Sequence, residues 1–223
     1  MKIISGETYH IYNQGNNQET IFYCDADYLE FLKIFRKTVY PHCMVLAYSL
    51  MPNHFHFLID ATEDSARVKL VGNIDSCELS NGFRLLQSSY AQYINKKYER
   101  TGSLFRQKAK AKSTADGSGQ YRLTAFHYIH QNPLKAGLVT KLEDWQFSSF
   151  ADYAGLRNGT LCNKILAQQL TGFSTTDFIK ESYESINIDI EEKIFDKRDW
   201  NIAVGTAGQT AIHSDLHRKS GQS

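Results

Sequence analysis

No apolar run in the 223 residues reaches the length needed to span a bilayer, and no charged N-terminal segment leads into an apolar stretch. A soluble, cytoplasmic protein without a membrane partner is therefore expected. Cysteine is scarce: Cys24, Cys43, Cys77 and Cys162 are scattered, with no Cys-x-x-Cys pair. That spacing argues against a zinc ribbon and against a disulfide framework, leaving reduced thiols. Charge of one sign is lacking too, since the formal net charge is +1, and the total alone points to no polyanionic partner. Internal repeats are absent. Aromatic residues are not: 13 Tyr, 13 Phe and 2 Trp make 13% of the chain aromatic, which excludes a disordered polymer. The length suits one cored domain with room for an appendage, read as a domain over 1–170 and a partly flexible extension over 171–223.

Hydrophobic periodicity gives an order of elements. Residues 8–12 read as a strand and 13–17 as a polar turn. Residues 27–40 read as a helix capped by Asp27, with Leu29, Leu32, Ile34, Phe35 and Val39 as its apolar positions. A strand over 43–50 runs through the short Met51-Pro52-Asn53 connection into a second, antiparallel strand carrying His54 and His56. Residues 60–79 read as an irregular surface loop, 83–98 as a helix, 105–113 as a last strand, 114–120 as a Gly/Ser/Asp loop, and 119–131 as a final helix. The order βαββαβ followed by a helix predicts an α+β, ferredoxin-like fold, with an antiparallel sheet and helices on one face. The other face is left for a ligand or a further element. The tail from residue 202 is poor in large apolar side chains and is expected to be flexible.

Two short blocks carry candidate chemistry. In Pro52-Asn53-His54-Phe55-His56-Phe57-Leu58-Ile59, strand alternation puts His54 and His56 on one face and Phe55 and Phe57 on the other. Two imidazoles so placed can grip one divalent cation; an amphipathic strand with a half-exposed histidine pair is the plainer alternative. Seventy-two positions after His56, Tyr128 begins the second block, and Asn132 follows four residues later. On a helix that spacing presents a phenol and an amide side by side. Pro133 is expected to end the helix. The plainer alternatives are a core tyrosine and a C-terminal cap. His127 and His130 read as polar residues of the helix's outer surface.

Charge is unevenly distributed. Between residues 95 and 113 stand Lys96, Lys97, Arg100, Arg106, Lys108, Lys110 and Lys112 against the single acid Glu99. Residues 189–199 hold five acids that offset this patch. Arg106, Lys108, Lys110 and Lys112 alternate with uncharged residues, so one strand would align all four on one face, as a phosphate backbone would require.

Four blocks in register carry a family resemblance that runs from about residue 9 to about residue 155. The Pro-Asn-His-Phe-His-Phe-Leu-Ile block and Tyr128-Ile129-His130-Gln131-Asn132-Pro133-Leu134-Lys135-Ala136-Gly137 resemble the two signature blocks of the single-tyrosine HUH transposases, most closely the REP-associated branch. Gly102-Ser103-Leu104-Phe105-Arg106-Gln107 and Trp145-Gln146-Phe147-Ser148-Ser149-Phe150 resemble the branch's intervening and closing segments. The resemblance implies a transposase that cleaves and rejoins single-stranded or hairpin DNA through a 5′-phosphotyrosine. Tyr128 would be the nucleophile, and His54, His56 and Asn132 would be the ligands of a divalent cation, Mg²⁺ or Mn²⁺. The seven basic residues would bind DNA. Gln131 is the fallback for Asn132, and a homodimer is among the assemblies allowed. Two alternatives stay open: a domesticated hairpin-binding protein of the same fold, and a metal-dependent hydrolase in which Tyr128 is structural.

Overall fold

In the computed structural model, residues 1–72, 74–115 and 119–184 are described. Alternating strands build one four-stranded sheet from Thr8–Gln14 (β1), Met44–Met51 (β2), His54–Asp60 (β3) and, further along the chain, Lys110–Ser113 (β6). Between β1 and β2 runs the helix Asp25–Thr38 (α1). After β3 come Glu63–Ala66 (α2), a separate hairpin of Val68–Val71 (β4) with Ile74–Cys77 (β5), and the long helix Glu78–Lys97 (α3). The helix Gln120–Lys135 (α4) follows β6, and Phe150–Tyr153 (α5), Lys164–Thr171 (α6) and Phe178–Tyr183 (α7) follow that. Sheet order is β2-β3-β1-β6 with every pair antiparallel, the ferredoxin-like arrangement expected from the sequence.

Period-two alternation splits the sheet into two faces. Tyr9, Ile11, Val45, Tyr48, Leu50, Phe55, Phe57 and Ile59 point to α1 and α3 and form the larger core with Phe31, Phe35, Phe83, Leu86 and Tyr90. Phe35 stacks on Phe57 at 4.3 Å. The two helices of this layer approach closely where Gly82 of α3 meets the end of α1, since a Cβ there would lie 2.4 Å from the Thr38 carbonyl. The other face carries Leu58, Leu46 and Ala47. A bulge between Val45 and Ala47 puts two successive residues on that side. It is covered by α4, which lies across β2 and β3 and adds Phe126, Tyr128 and Ile129. Phe150, Ala167, Phe173 and Phe178 close this second core, so α6 and α7 also pack on α4.

The structure corrects several local expectations. The first strand continues to Gln14, taking in the first two of the residues read as a turn, and a 3-10 turn over Asn16–Gln18 follows. The cap of α1 is Cys24, not Asp27: Asp27 sits at the third helical position, where its carboxylate accepts the Tyr23 and Cys24 N–H groups. Residues 60–79 are not an irregular loop, for they hold α2, the β4–β5 hairpin and the start of α3. Val68 and Leu70 of that hairpin are exposed, so it lacks the buried face that makes a strand legible. The last strand is only four residues long. Before it the Gln107 carbonyl accepts from the side chains of Asn13 and Gln87, and the Ala109 N–H donates to Gln87 Oε1. Side chains there replace the ladder, so Arg106 and Lys108 do not share a strand face with Lys110 and Lys112. Finally, α4 runs through Pro133 to Lys135. A proline in the last turn forfeits one helical N–H, and the Asn132 and Pro133 carbonyls are capped beyond it by Ala136 and Leu138. The acidic stretch 189–199 and the tail from residue 202 lie outside the described residues. Among the described residues no helix is long and apolar enough to cross a membrane.

Candidate active site on the histidine face of the sheet

Strand register, not proximity in sequence, assembles the site. In β3, His54 lies between Gln14 and Met51, and His56 between Tyr12 and Ser49. On β1 the same face continues with His10, and on β6 with Lys112 opposite His10 and Lys110 opposite Tyr12. The His54 and His56 rings meet edge to face at 5.0 Å. Tyr128, brought down by α4, meets His56 edge to face at 6.0 Å, and Lys135 places its ammonium 5.0 Å over the Tyr128 ring. Lys135 is two helical turns beyond Tyr128 and so lies over the same face. Tyr128 is 5% exposed and His54 5%, whereas His56 is fully buried.

Each histidine of the pair has its Nδ1 held. Asn53 donates from Nδ2 to the Gln18 carbonyl, which turns Oδ1 toward His54 Nδ1, 2.6 Å away. The imidazole must therefore be the donor, and His54 is protonated on Nδ1. His56 Nδ1 is 2.8 Å from His10 Nε2, the two rings lying edge to edge with 13° between their planes, and Tyr12 is stacked on His10 at 4.8 Å. Burial pushes His54 and His10 down to about 3 and His56 well below its ordinary value; Lys112 also lowers His10, and His10 and His54 lower His56. Both candidate ligands are neutral at pH 7, the form that binds metal.

Among the described residues no cluster of three His, Cys, Asp or Glu could hold a metal ion. A cation on His54 and His56 would need an oxygen of another kind, such as a side-chain amide or a substrate phosphate. Asn132 is buried beneath the last turn of α4, and its Nδ2 donates to the Tyr128 carbonyl at 2.9 Å. Oδ1, the atom a cation would take, lies outside that bond. Gln131 faces elsewhere, with Nε2 bound to the Ser182 and Glu184 carbonyls at 2.8 and 3.0 Å. His127 and His130 are buried, contrary to the outer-surface reading: His127 lies against Ser182 and Glu181, and His130 bonds Ser149 Oγ at 2.7 Å. They tie α4 to the C-terminal helices, and burial lowers His127 to about 4.

The seven basic candidates separate into two groups. Lys110 and Lys112 belong to the histidine face, and Arg106, Lys108 and Lys110 border a cleft of about 50 Å³ with Tyr12, Asn13 and Gln14. Lys96, Lys97 and Arg100 stand at the end of α3 in the other layer. Lys97 is bound to the buried Asp27 at 2.7 Å and Arg100 to Glu19 at 3.0 Å, so both have structural partners. Sequence reading missed His10, Asn53 and Lys135. The signal for His10 was its period-two spacing from Tyr12; that for Lys135 was its seven-residue spacing from Tyr128.

No family model and no curated protein matches the chain. Among solved structures, one of a REP-associated tyrosine transposase bound to a REP hairpin aligns with a TM-score of 0.51 over 69% of this chain and 84% of that one, at 18% identity. The fold is similar to that of a REP-associated tyrosine transposase. That likeness is one of fold alone. Two structures of a bacterial tRNA(His) guanylyltransferase-like protein, with GTP and with ATP, align with TM-scores of 0.36 and 0.37 at 13% identity, covering 60% and 81% of this chain and 68% and 72% of theirs.

Proposed function

We propose that the protein is a metal-assisted strand transferase that cleaves and rejoins hairpin-containing single-stranded DNA through Tyr128. The observation carrying this reading is the convergence, on one buried sheet face, of two Nδ1-anchored neutral histidines and a tyrosine in ring contact with one of them. His54, His56 and Asn132 Oδ1 would hold Mg²⁺ or Mn²⁺. Such a cation supplies Lewis-acid polarisation of a phosphate oxygen and stabilises charge building on the phosphoryl group.

The other steps belong to the chain. Tyr128 Oη attacks phosphorus, the bond to the 3′ oxygen breaks, and the phenolic proton leaves for solvent or for that departing oxygen. The products are a 5′-phosphotyrosine and a free 3′-hydroxyl, and attack by a second 3′-hydroxyl reverses the step. A phenol titrates near 10, so attack at neutral pH needs help. Lys135, over the ring, favours the phenolate as it forms. Lys108, Lys110 and Arg106, beside Tyr12, would hold the phosphate backbone of the incoming strand.

The test is cleavage of an end-labelled DNA hairpin with single-stranded flanks, in Mn²⁺ and in EDTA. A metal-dependent covalent adduct that Tyr128→Phe abolishes is expected. Hairpin binding without an adduct would mark a binding protein of the same fold, and metal-dependent products without an adduct would mark a hydrolase.

A further inference from the structure

Imidazole has one proton when neutral, so a histidine whose Nδ1 accepts a hydrogen bond must carry the proton on Nε2 and cannot ligate there. For His54 the matter is closed by Asn53, whose amide oxygen can only accept. His56 differs, because its Nδ1 faces another ring nitrogen, His10 Nε2, at 2.8 Å, and either could be the donor. One arrangement puts the His56 proton on Nδ1 and makes Nε2 a ligand. The other makes His56 useless to a cation. The choice belongs to His10, which lies 46 residues away on β1, is fully buried, and has Tyr12 stacked on its ring while its edge meets His56.

We propose that His10 is a positioning residue for the metal site: it accepts from His56 Nδ1–H, which selects the His56 tautomer that presents Nε2 and fixes the plane of that ring. The near-coplanar arrangement of the two rings, 13° between planes, suits this role, since the terminal torsion of a histidine is otherwise broad and roughly two-fold. In the ladder His10 stands between Lys112 of β6 and Leu58 of β3. Ligating histidines commonly direct their second nitrogen at a carboxylate or a carbonyl. Here another imidazole takes that place for His56, and a side-chain amide takes it for His54. The role rests on the metal-assisted reading proposed above.

Two-bond ¹H–¹⁵N spectra of the metal-free protein at pH 7 read the tautomer directly, with the His56 pattern assigned by its loss in His56→Ala. Mn²⁺ titration reads the consequence. Wild type is expected to show His56 protonated on Nδ1. His10→Gln, which can still accept through its amide oxygen, should keep that tautomer and bind Mn²⁺ within about threefold of wild type. His10→Phe, which can stack but not accept, should mix the tautomers and weaken Mn²⁺ binding by roughly ten- to a hundredfold. Wild-type His56 protonated on Nε2 overturns the proposal, as does wild-type Mn²⁺ affinity in His10→Phe. If His10→Phe does not fold, the wild-type spectrum and His10→Gln decide. Mn²⁺ binding that is lost in His54→Ala but unchanged in His10→Phe removes the role of His10 alone. Binding indifferent to His54→Ala removes the metal-assisted reading, and this role with it.

Discussion

The two faces of β3 show how one strand serves two incompatible tasks. Phe55 and Phe57 point into an aromatic core against Phe31, Phe35 and Phe83; that face is held by area, shape and ring packing. His54 and His56, one residue out of phase, point under α4 and are held by two designated hydrogen bonds, one to Asn53 Oδ1 and one with His10. The first face tolerates conservative apolar exchange, because dispersion and hydrophobic burial are not directional. The second does not. A buried imidazole needs a partner on its nitrogen, and here the partner also decides which nitrogen is available for chemistry.

Substitutions can break this contrast, and the largest effect is expected at Tyr128. Tyr128→Phe should reduce adduct formation to background in the hairpin assay while leaving stability and binding close to wild type, because only one oxygen is removed. Phe57→Ala should do the opposite, costing about 3–5 kcal/mol in denaturant unfolding through the cavity left beside Phe35.

Acid should separate the faces as well. The unfolded chain takes up a proton on His10 or His54 near the ordinary 6.5, whereas the folded protein takes it up only near 3. The unfolded state therefore binds more protons across that window, and stability falls as pH falls from about 6.5 toward 3 and levels off above it. The loss between pH 7 and pH 5 should be about 2 kcal/mol per such histidine, measurable by urea titration. His10→Phe should flatten the slope.

A narrower contrast lies within α4. Asn132→Ala should raise the Mn²⁺ concentration for half-maximal cleavage far more than Gln131→Ala does. Gln131→Ala should instead cost about 1–2 kcal/mol of stability by removing its bonds to the Ser182 and Glu184 carbonyls. A reversed ranking would exchange the two roles. The smallest effect is expected from Lys108→Glu and Lys110→Glu. Each lost phosphate contact should lower the log–log salt slope of single-strand binding by about 0.7, without changing preference among hairpins.

What could be read from sequence follows from the range of the interactions involved. His54 and His56 were legible because strand alternation is local, and Tyr128 with Asn132 because helical spacing is local. His10 was not, since its partner His56 is set by strand pairing across 46 residues and a lone histidine in a strand has no local signature. Lys135 was obscured by Pro133, which reads as a stop although the helix continues two residues past it. The basic stripe was over-read for a related reason. Asn13 and Gln87 replace the ladder before β6, and no pattern within residues 105–113 reports what distant side chains will supply. The burial of His127 and His130 depends on helices that arrive some fifty residues later in the chain.

The central claim is that the histidine face and Tyr128 form one reaction centre. It is tested most directly by incubating the wild-type protein with a labelled DNA hairpin and Mn²⁺, digesting the product, and locating the DNA-linked peptide by mass spectrometry. The account predicts a phosphodiester on Tyr128, formed with Mn²⁺ and absent both in EDTA and in His56→Ala. An adduct on another residue, or an adduct on Tyr128 that forms equally well without metal, would contradict it.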